Sequence, residues 1–355
     1  MTAPPPIRVL MITADWPDLA DWGGTATFVS RQVDFLRAAG VSIDLFKFRG
    51  KGNPIRYASA WLEVQRRLLR RERYDLIHAQ FGQSGLLALP KRLPLVVTYR
   101  GDDLEGVVSN KTGLLTPMGR LLPVLSRVVA RQADANIVVS AHLGACLHRG
   151  AQPHVIPSGI DLKRFRLMPQ AEARRHLGLP SEGRLVLFVG SPTSTRKRYD
   201  LACRAVEIVK QSLPADIVLG WGIPHDQMPY YMNACDVLVF TSRQEGSPNV
   251  VKEALACNLP VVSTGVGDVP ERLRGIEGCE VAADDRAETI AASLVRVLSR
   301  GGRTTSRERM RELDENVITE WVIGVYRSVL AQAGHKAGGN GEAAQVGSPS
   351  SRSTA

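Results

Sequence analysis

Long apolar runs are missing from this chain: no stretch approaches the roughly 18 consecutive apolar residues that a membrane-spanning helix needs. Cysteine is sparse. The five that occur, Cys146, Cys203, Cys235, Cys257 and Cys279, are widely spaced and form no CxxC pair. That spacing excludes a zinc-ribbon or disulfide framework and suits reduced, buried thiols. Residues 1–6 carry no basic segment and the apolar stretch 7–13 is too short for a signal core, so a cytoplasmic protein is expected. Aromatic residues make up only 6%, and no helix-turn-helix, zinc-finger or RNP pattern occurs, which removes nucleic acid from the expected partners. The turn after the first apolar strand lacks GxGxxG, which disfavours a hydride-transferring dehydrogenase. Acidic residues fall short of basic ones, 35 against 45, and the resulting net charge of +10 points to an anionic partner. An acidic lipid surface and a phosphorylated small molecule remain.

What is present is an alternation of short β-branched runs with longer helical patterns, the signature of a doubly wound α/β fold with parallel sheets. A chain of 355 residues exceeds what one core usually organises, so two such domains are expected. Strands are predicted at 7–13, 41–48, 76–79, 95–99 and 135–139, with helices at 25–39, 55–71, 119–132 and 141–148. The segment 154–161, broken by Pro157 and Gly159 and followed by a polar stretch to 169, marks the hinge. A second set follows, with strands at 184–190, 217–219, 237–241, 260–263 and 280–282 and helices at 199–212, 226–234, 248–257, 287–299 and 306–331. The expected domains are 1–160 and 161–333, with the last helix able to pack back on the first, and a Gly/Ser/Ala-rich tail at 334–355 expected to lack structure. Two α/β domains joined by a hinge turn the carboxyl ends of two sheets toward one cleft, where ligands of such sheets bind.

The most informative stretch, 237–267, reads VLVFTSRQEGSPNVVKEALACNLPVVSTGVG: strand, turn, helix, turn, strand. Ser247 reads as the N-cap and Pro248 as the first helical residue. Glu245 lies in the turn, and Glu253 about a turn and a half into the helix, roughly 7.5 Å along its axis. Asn249, Val250, Ala256 and Cys257 share the helix face of Glu253. These neighbours are small or apolar, so the carboxylate faces something other than open water. Sugar hydroxyls can donate to such a carboxylate, and the free amides around Ser247 to Val250 suit a phosphate. The plainer reading, two surface glutamates on an amphipathic helix, sits poorly with that apolar context.

Glu245 and Glu253, with seven residues between them, resemble the EX7E motif of the family 4 retaining glycosyltransferases, and EGSPNVVKEALACNLPVVSTGVGDVPE looks similar to the subset typified by teichuronic acid biosynthesis enzymes. The resemblance implies a GT-B fold and transfer of a sugar from a nucleoside diphosphate donor, UDP- or GDP-linked, to a glycan or polyprenyl-linked acceptor in cell-surface polysaccharide synthesis. It gives Glu253 the nucleotide ribose, Glu245 the donor sugar, and the backbone of Ser247, Pro248, Asn249 and Val250 the diphosphate and sugar. The loop SPTSTRKRYD after Gly190 is similar to the family's G-R-x-x-x-x-K-G segment and places Lys197 as the diphosphate-binding lysine. On physical grounds, a fixed cation there offsets the charge left on the departing diphosphate. Ser191 stands where the family has arginine, so Arg196 is the expected second cation, ahead of Arg198.

Gly23-Gly24, opening the first long helix, is similar to a glycine pair that meets the donor, although a simple turn and cap explains it nearly as well. Arg100, in Tyr99-Arg100-Gly101-Asp102 at the end of the fourth strand, stands where many relatives have a sugar-contacting histidine. Asp102 and His78 are further candidates for sugar or acceptor contact, His78 reading more naturally as a core histidine. The pairs Asp102-Asp103 and Asp284-Asp285 lack a DxD strand context, and neither a metal nor a cofactor beyond the nucleotide sugar is expected. The stretches 61–71 and 111–131 mix basic and apolar residues. They read either as solvated outer helices or as a peripheral contact with an anionic inner membrane face. A nucleotide-sugar 2-epimerase and a non-catalytic nucleotide-sugar sensor are the alternatives.

Overall fold

A computed structural model of the chain describes residues 5–14, 27–50, 54–69, 74–109 and 112–342. The first half forms a six-stranded parallel sheet from β1 (Arg8–Thr13), β2 (Ser42–Lys47), β3 (Leu76–Gln80), β4 (Leu95–Tyr99), β5 (Ala135–Val138) and β6 (His154–Val155), in the order β2-β1-β3-β4-β5-β6. The second forms a five-stranded parallel sheet from β7 (Arg184–Val189), β8 (Ala215–Gly220), β9 (Val237–Phe240), β10 (Val261–Ser263) and β11 (Glu280–Val281), in the order β11-β10-β9-β7-β8. Central strands such as β4 and β9 are buried at every residue because helices cover both faces.

The helices of the first half are α1 (Thr27–Ala38), α2 (Pro54–Leu69), α3 (Gly82–Gly85), α4 (Asp102–Glu105), α5 (Pro117–Gln132) and α6 (Ala141–Ala145). Those of the second are α7 (Gln170–Leu177), α8 (Tyr199–Val209), α9 (Met228–Ala234), α10 (Asn249–Ala256), α11 (Val269–Leu273), α12 (Ala287–Arg300), α13 (Arg307–Met310) and α14 (Glu315–Glu342). One apolar core runs through both halves, joining Val9, Met11 and Val33 to Leu187, Val251, Val322 and Tyr326. Separate cores fill the outer face of each sheet. No helix among the described residues is long and apolar enough to cross a membrane.

The strand order fixes where ligands can approach. In the second sheet the chain runs from β7 outward to β8, then returns to the other side of β7 for β9, β10 and β11. The loops leaving β7 and β9 therefore diverge, opening a crevice at their carboxyl ends. Those two loops carry Lys197 and Glu245.

Three local expectations need correction. The helix read over 306–331 is broken: α13 ends, a 3-10 turn follows, and α14 restarts at Glu315. The break arises because Ile160 of the linker donates to the Leu313 carbonyl and accepts from the Glu315 amide, drawing Asp314 into extended backbone, where its carboxylate accepts from the Asn316 amide. α14 then crosses to the first sheet, where the Tyr326 hydroxyl meets His78 Nδ1 at 2.6 Å. α14 also runs to Glu342, into the stretch from 334 that was expected to lack structure. Extending a helix already nucleated by packing costs far less than starting one. Finally, α7 was not anticipated, although Pro169 before it and Gly178 after it, at φ 64°, mark its ends.

Candidate active site

Gly190 follows β7 at φ 147°, a conformation that side chains rarely adopt, and a Cβ there would lie 3.2 Å from Lys197 Cγ. The loop that follows is pinned to β9 by the Thr241 hydroxyl, which donates to the carbonyls of Lys197 and Arg198. Lys197 Nζ then reaches Glu245 Oε1 at 2.6 Å and lies 5.2 Å from the centre of the Phe240 ring. Burial alone would raise the Glu245 carboxyl, but Lys197 and Arg196 outweigh it and hold that carboxyl below its ordinary range.

Arg196 and Arg198 diverge. Arg196 reaches across to Asp102 of the first domain at 3.2 Å while its charge bears on Glu245. Arg198, at φ 55°, turns under the loop, donating to the carbonyls of Thr241 and Ser242 and to Asp285. Arg196 is thus the arginine whose charge reaches Glu245, and Arg198 holds the loop. Two further contacts join the domains here, Thr195 Oγ1 to the Ser109 carbonyl and Gln244 Nε2 to the Gly106 carbonyl.

The turn carrying Glu245 packs against the first domain at Gly246, where a Cβ would come within 2.2 Å of the Arg100 carbonyl. α10 starts one residue later than expected. Pro248 occupies the cap position, and Ser247 is not the side-chain cap because its hydroxyl donates to the Asp268 carboxylate at 2.8 Å. The first amides of α10 have no partner within the helix. The side-chain Oδ1 of Asn249, at its first residue, is buried without a hydrogen-bond donor. Such an acceptor is open to a donor from outside the chain.

Glu253 is 6% exposed and meets His225 Nε2 at 3.3 Å. Arg164 donates to His225 Nδ1 at 2.9 Å, and because arginine only donates, Nδ1 is the acceptor and Nε2 carries the hydrogen that Glu253 accepts. His225 lies in the loop after the edge strand β8, where a single sequence gives no signal for it.

The first domain's described candidates are held within its own core or at its edge. His78 is fully buried between Thr98 and Tyr326, and burial with the nearby Arg100 lowers its pKa to about 3. It is a neutral core histidine and is not brought to the crevice. The Arg100 guanidinium turns inward to Gln32, Gln80 and Ser158 and stacks over Phe28, so its backbone, not its side chain, meets the Glu245 turn. Gly23 and Gly24 lie outside the described residues. The Asp103 carboxylate, which accepts from the amides of Gly82, Arg100 and Gly101, shapes this segment. Among the described residues no group of three or more His, Cys, Asp or Glu is placed to hold a metal ion.

Comparison with known proteins sets the chain among glycosyltransferases. The profile of the glycosyl transferases group 1 matches residues 215–300, and that of glycosyltransferase family 4 matches residues 22–164. The chain is 31% identical to the putative teichuronic acid biosynthesis glycosyltransferase TuaC of Bacillus subtilis over 60% of its own length and 58% of that protein's, so it spans less than two thirds of that relative. It is 28% identical to the D-inositol 3-phosphate glycosyltransferase of Thermobispora bispora over 72% of this chain and 73% of that one. Among solved structures, sucrose-phosphate synthase from Thermosynechococcus elongatus superposes with a TM-score of 0.75 at 21% identity, covering 92% of this chain and all of that one. Anabaena Alr3699/HepE in complex with UDP superposes with a TM-score of 0.63 at 16% identity, covering 91% of this chain and all of that one.

Proposed function

Because the chain belongs to the group 1, family 4 glycosyltransferases and has their GT-B architecture, we propose that it transfers a sugar, with retention at the anomeric carbon, from a UDP- or GDP-linked donor to a hydroxyl of a glycan or lipid-linked acceptor. One observation carries the reading: the Lys197–Glu245 pair sits where the loops of β7 and β9 diverge, beside an α10 mouth that holds a buried, unpartnered acceptor on Asn249. In the proposed reaction the bond from sugar C1 to the phosphate oxygen breaks, and its electron pair leaves with the diphosphate. Lys197, Arg196 and the first amides of α10 offset that charge. The donor competes with Glu245 for the Lys197 ammonium, which frees the carboxylate to accept from sugar hydroxyls. The acceptor oxygen bonds C1 on the face the diphosphate leaves, and its proton passes to a departing phosphate oxygen. Glu253 holds the ribose. A panel of UDP- and GDP-sugars read by thermal shift, followed by NMR of the transferred anomer, tests this. No stabilisation by any of them overturns it. Conversion of the donor without an acceptor identifies an epimerase, and binding without turnover a sensor.

The similarity to a teichuronic acid enzyme supports an acceptor used in cell-surface polysaccharide assembly. Surface chemistry supports an acceptor met at an anionic membrane. Leu114, Met118, Leu121, Val124 and Val128 line the exposed face of α5 and the loop before it, with Arg120 and Arg131 at its edge, while α2 exposes Ile55, Leu62 and Leu69 beside Arg66. Salt-sensitive sedimentation with phosphatidylglycerol vesicles is expected, and no binding at low ionic strength refutes this part.

A further inference from the structure

Lys252, one residue before Glu253 on α10, has no solvent exposure. Its Nζ donates to the Ser158 carbonyl, in the linker between the two sheets, at 2.8 Å. The next linker carbonyl, Gly159, accepts from Arg31 of α1 at 2.7 Å, and Arg31 also binds Glu315 at the start of α14 at 2.9 Å. A Cβ on Gly159 would fall 2.5 Å from the Glu315 carboxylate, so the linker is closed down on that group. From the other side, Asp268 and Arg272, paired at 2.6 Å, face Lys252 from α11, and Asp268 also accepts from Ser247 in the turn before α10. Adjacent linker carbonyls are thus gripped from opposite domains, by Lys252 on one side and Arg31 on the other.

An apolar side chain of similar length would fill this space at lower cost, since burying an ammonium is expensive. What a lysine adds is a directional bond from the donor helix to a carbonyl that belongs to neither sheet. We propose that Lys252 is a positioning residue of the donor site: its ammonium fixes α10 against the linker, and so sets where Glu253 and the first amides of that helix stand relative to the first domain. The inference rests on the donor-binding reading of α10. Burial, reinforced by Arg272 and Arg31 against Asp268 and Glu315, lowers the Lys252 pKa to about 7. The ammonium is therefore present below that pH and discharged above it, while Arg31 and Arg272 stay charged.

The test is calorimetric titration of the full chain with UDP and with GDP at pH 6.5 and pH 9, for wild type, Lys252→Met and, as a control that keeps Lys252, Glu253→Gln. Lys252→Met is expected to bind about tenfold more weakly at pH 6.5, the scale of one charge-assisted hydrogen bond. Wild type and Glu253→Gln are expected to lose affinity toward pH 9, and Lys252→Met to show less of that loss. Wild-type affinity and pH dependence in Lys252→Met overturn the proposal. Should that variant fail to fold, equal wild-type affinity at the two pH values overturns it. Failure of the wild type to bind either nucleotide at pH 6.5 overturns the donor reading first, before any variant is made.

Discussion

Replacing Lys197 with alanine separates the chemistry of the site from its stability. Lys197 and Glu245 side chains are 20% and 12% exposed and 2.6 Å apart, so removing the ammonium leaves a nearly buried carboxylate with Arg196 and the Ser242 hydroxyl to offset it. Breaking a buried pair from one side costs about 3–5 kcal/mol. The low end applies here because Arg196 remains, which corresponds to a fall in Tm of roughly 6–12 °C at this domain size. Loss of a preorganised contact to a developing negative charge lowers kcat by about 100- to 1,000-fold. The double variant Lys197→Ala/Glu245→Gln removes the orphaned carboxylate, so Tm should recover most of the loss while kcat stays low. The sign of the pH effect follows. Glu245 is held below the ordinary carboxylate range in the folded state, so its contribution to stability is present above the unfolded value and is lost as the pH falls through the folded value. In Lys197→Ala the carboxyl loses its main partner and its folded value rises, so protonation relieves the orphaned charge and the deficit against wild type shrinks as the pH falls. The assays are steady-state transfer with the donor found by the panel and thermal melts from pH 3 to 8. Turnover of Lys197→Ala within about threefold of wild type, or recovery of turnover along with stability in the double variant, refutes the reasoning.

Glu253→Ala should weaken nucleoside diphosphate binding by about 10- to 100-fold, the scale of one or two hydrogen bonds to a charged acceptor, with little change in kcat at saturating donor. Calorimetry with the free nucleotide checks it, and a kcat effect without a binding effect contradicts it. Arg196→Ala and Arg198→Ala should split. The first loses an exposed ion pair with Asp102 worth about 0–1 kcal/mol and part of the charge that offsets Glu245, so it melts below wild type by less than Lys197→Ala does and turns over about tenfold more slowly. The second loses a buried guanidinium bonded to two carbonyls and Asp285, so it melts well below wild type, and its folded fraction retains more activity than Arg196→Ala.

The parallel sheets and the EX7E segment were legible because both depend on local pattern. Continuous apolar runs such as 95–99 admit few other structures, and the strand–turn–helix around Glu245 is written in consecutive residues. Lys197 is singled out by the resemblance of the loop after Gly190 to a family segment rather than by local pattern, and the structure sets it against Glu245. What stayed hidden depends on chain segments far apart in sequence. Ser247 looks like a helix cap until Asp268, 21 residues on, claims its hydroxyl. Arg100 looks like a cleft residue until Gln32, Gln80 and Ser158 converge on it. His78 reads as a core histidine and is one, but its partner Tyr326, brought by α14 from far along the chain, is not visible in the sequence. Arg196 and Arg198 are indistinguishable by type and spacing. The left-handed backbone at Arg198, which sends one outward and the other under the loop, is set by the packing of β9.

The central claim is that the Lys197–Glu245 pair and the mouth of α10 together form the seat of a nucleoside diphosphate sugar. A crystal of the protein grown with UDP- or GDP-sugar, whichever shifts the melt, tests it directly. The account predicts the diphosphate against Lys197 and the first amides of α10, a sugar hydroxyl on Glu245, and the ribose on Glu253. Ordered nucleotide bound elsewhere on the chain, with Lys197 still on Glu245 and α10 uncovered, contradicts it.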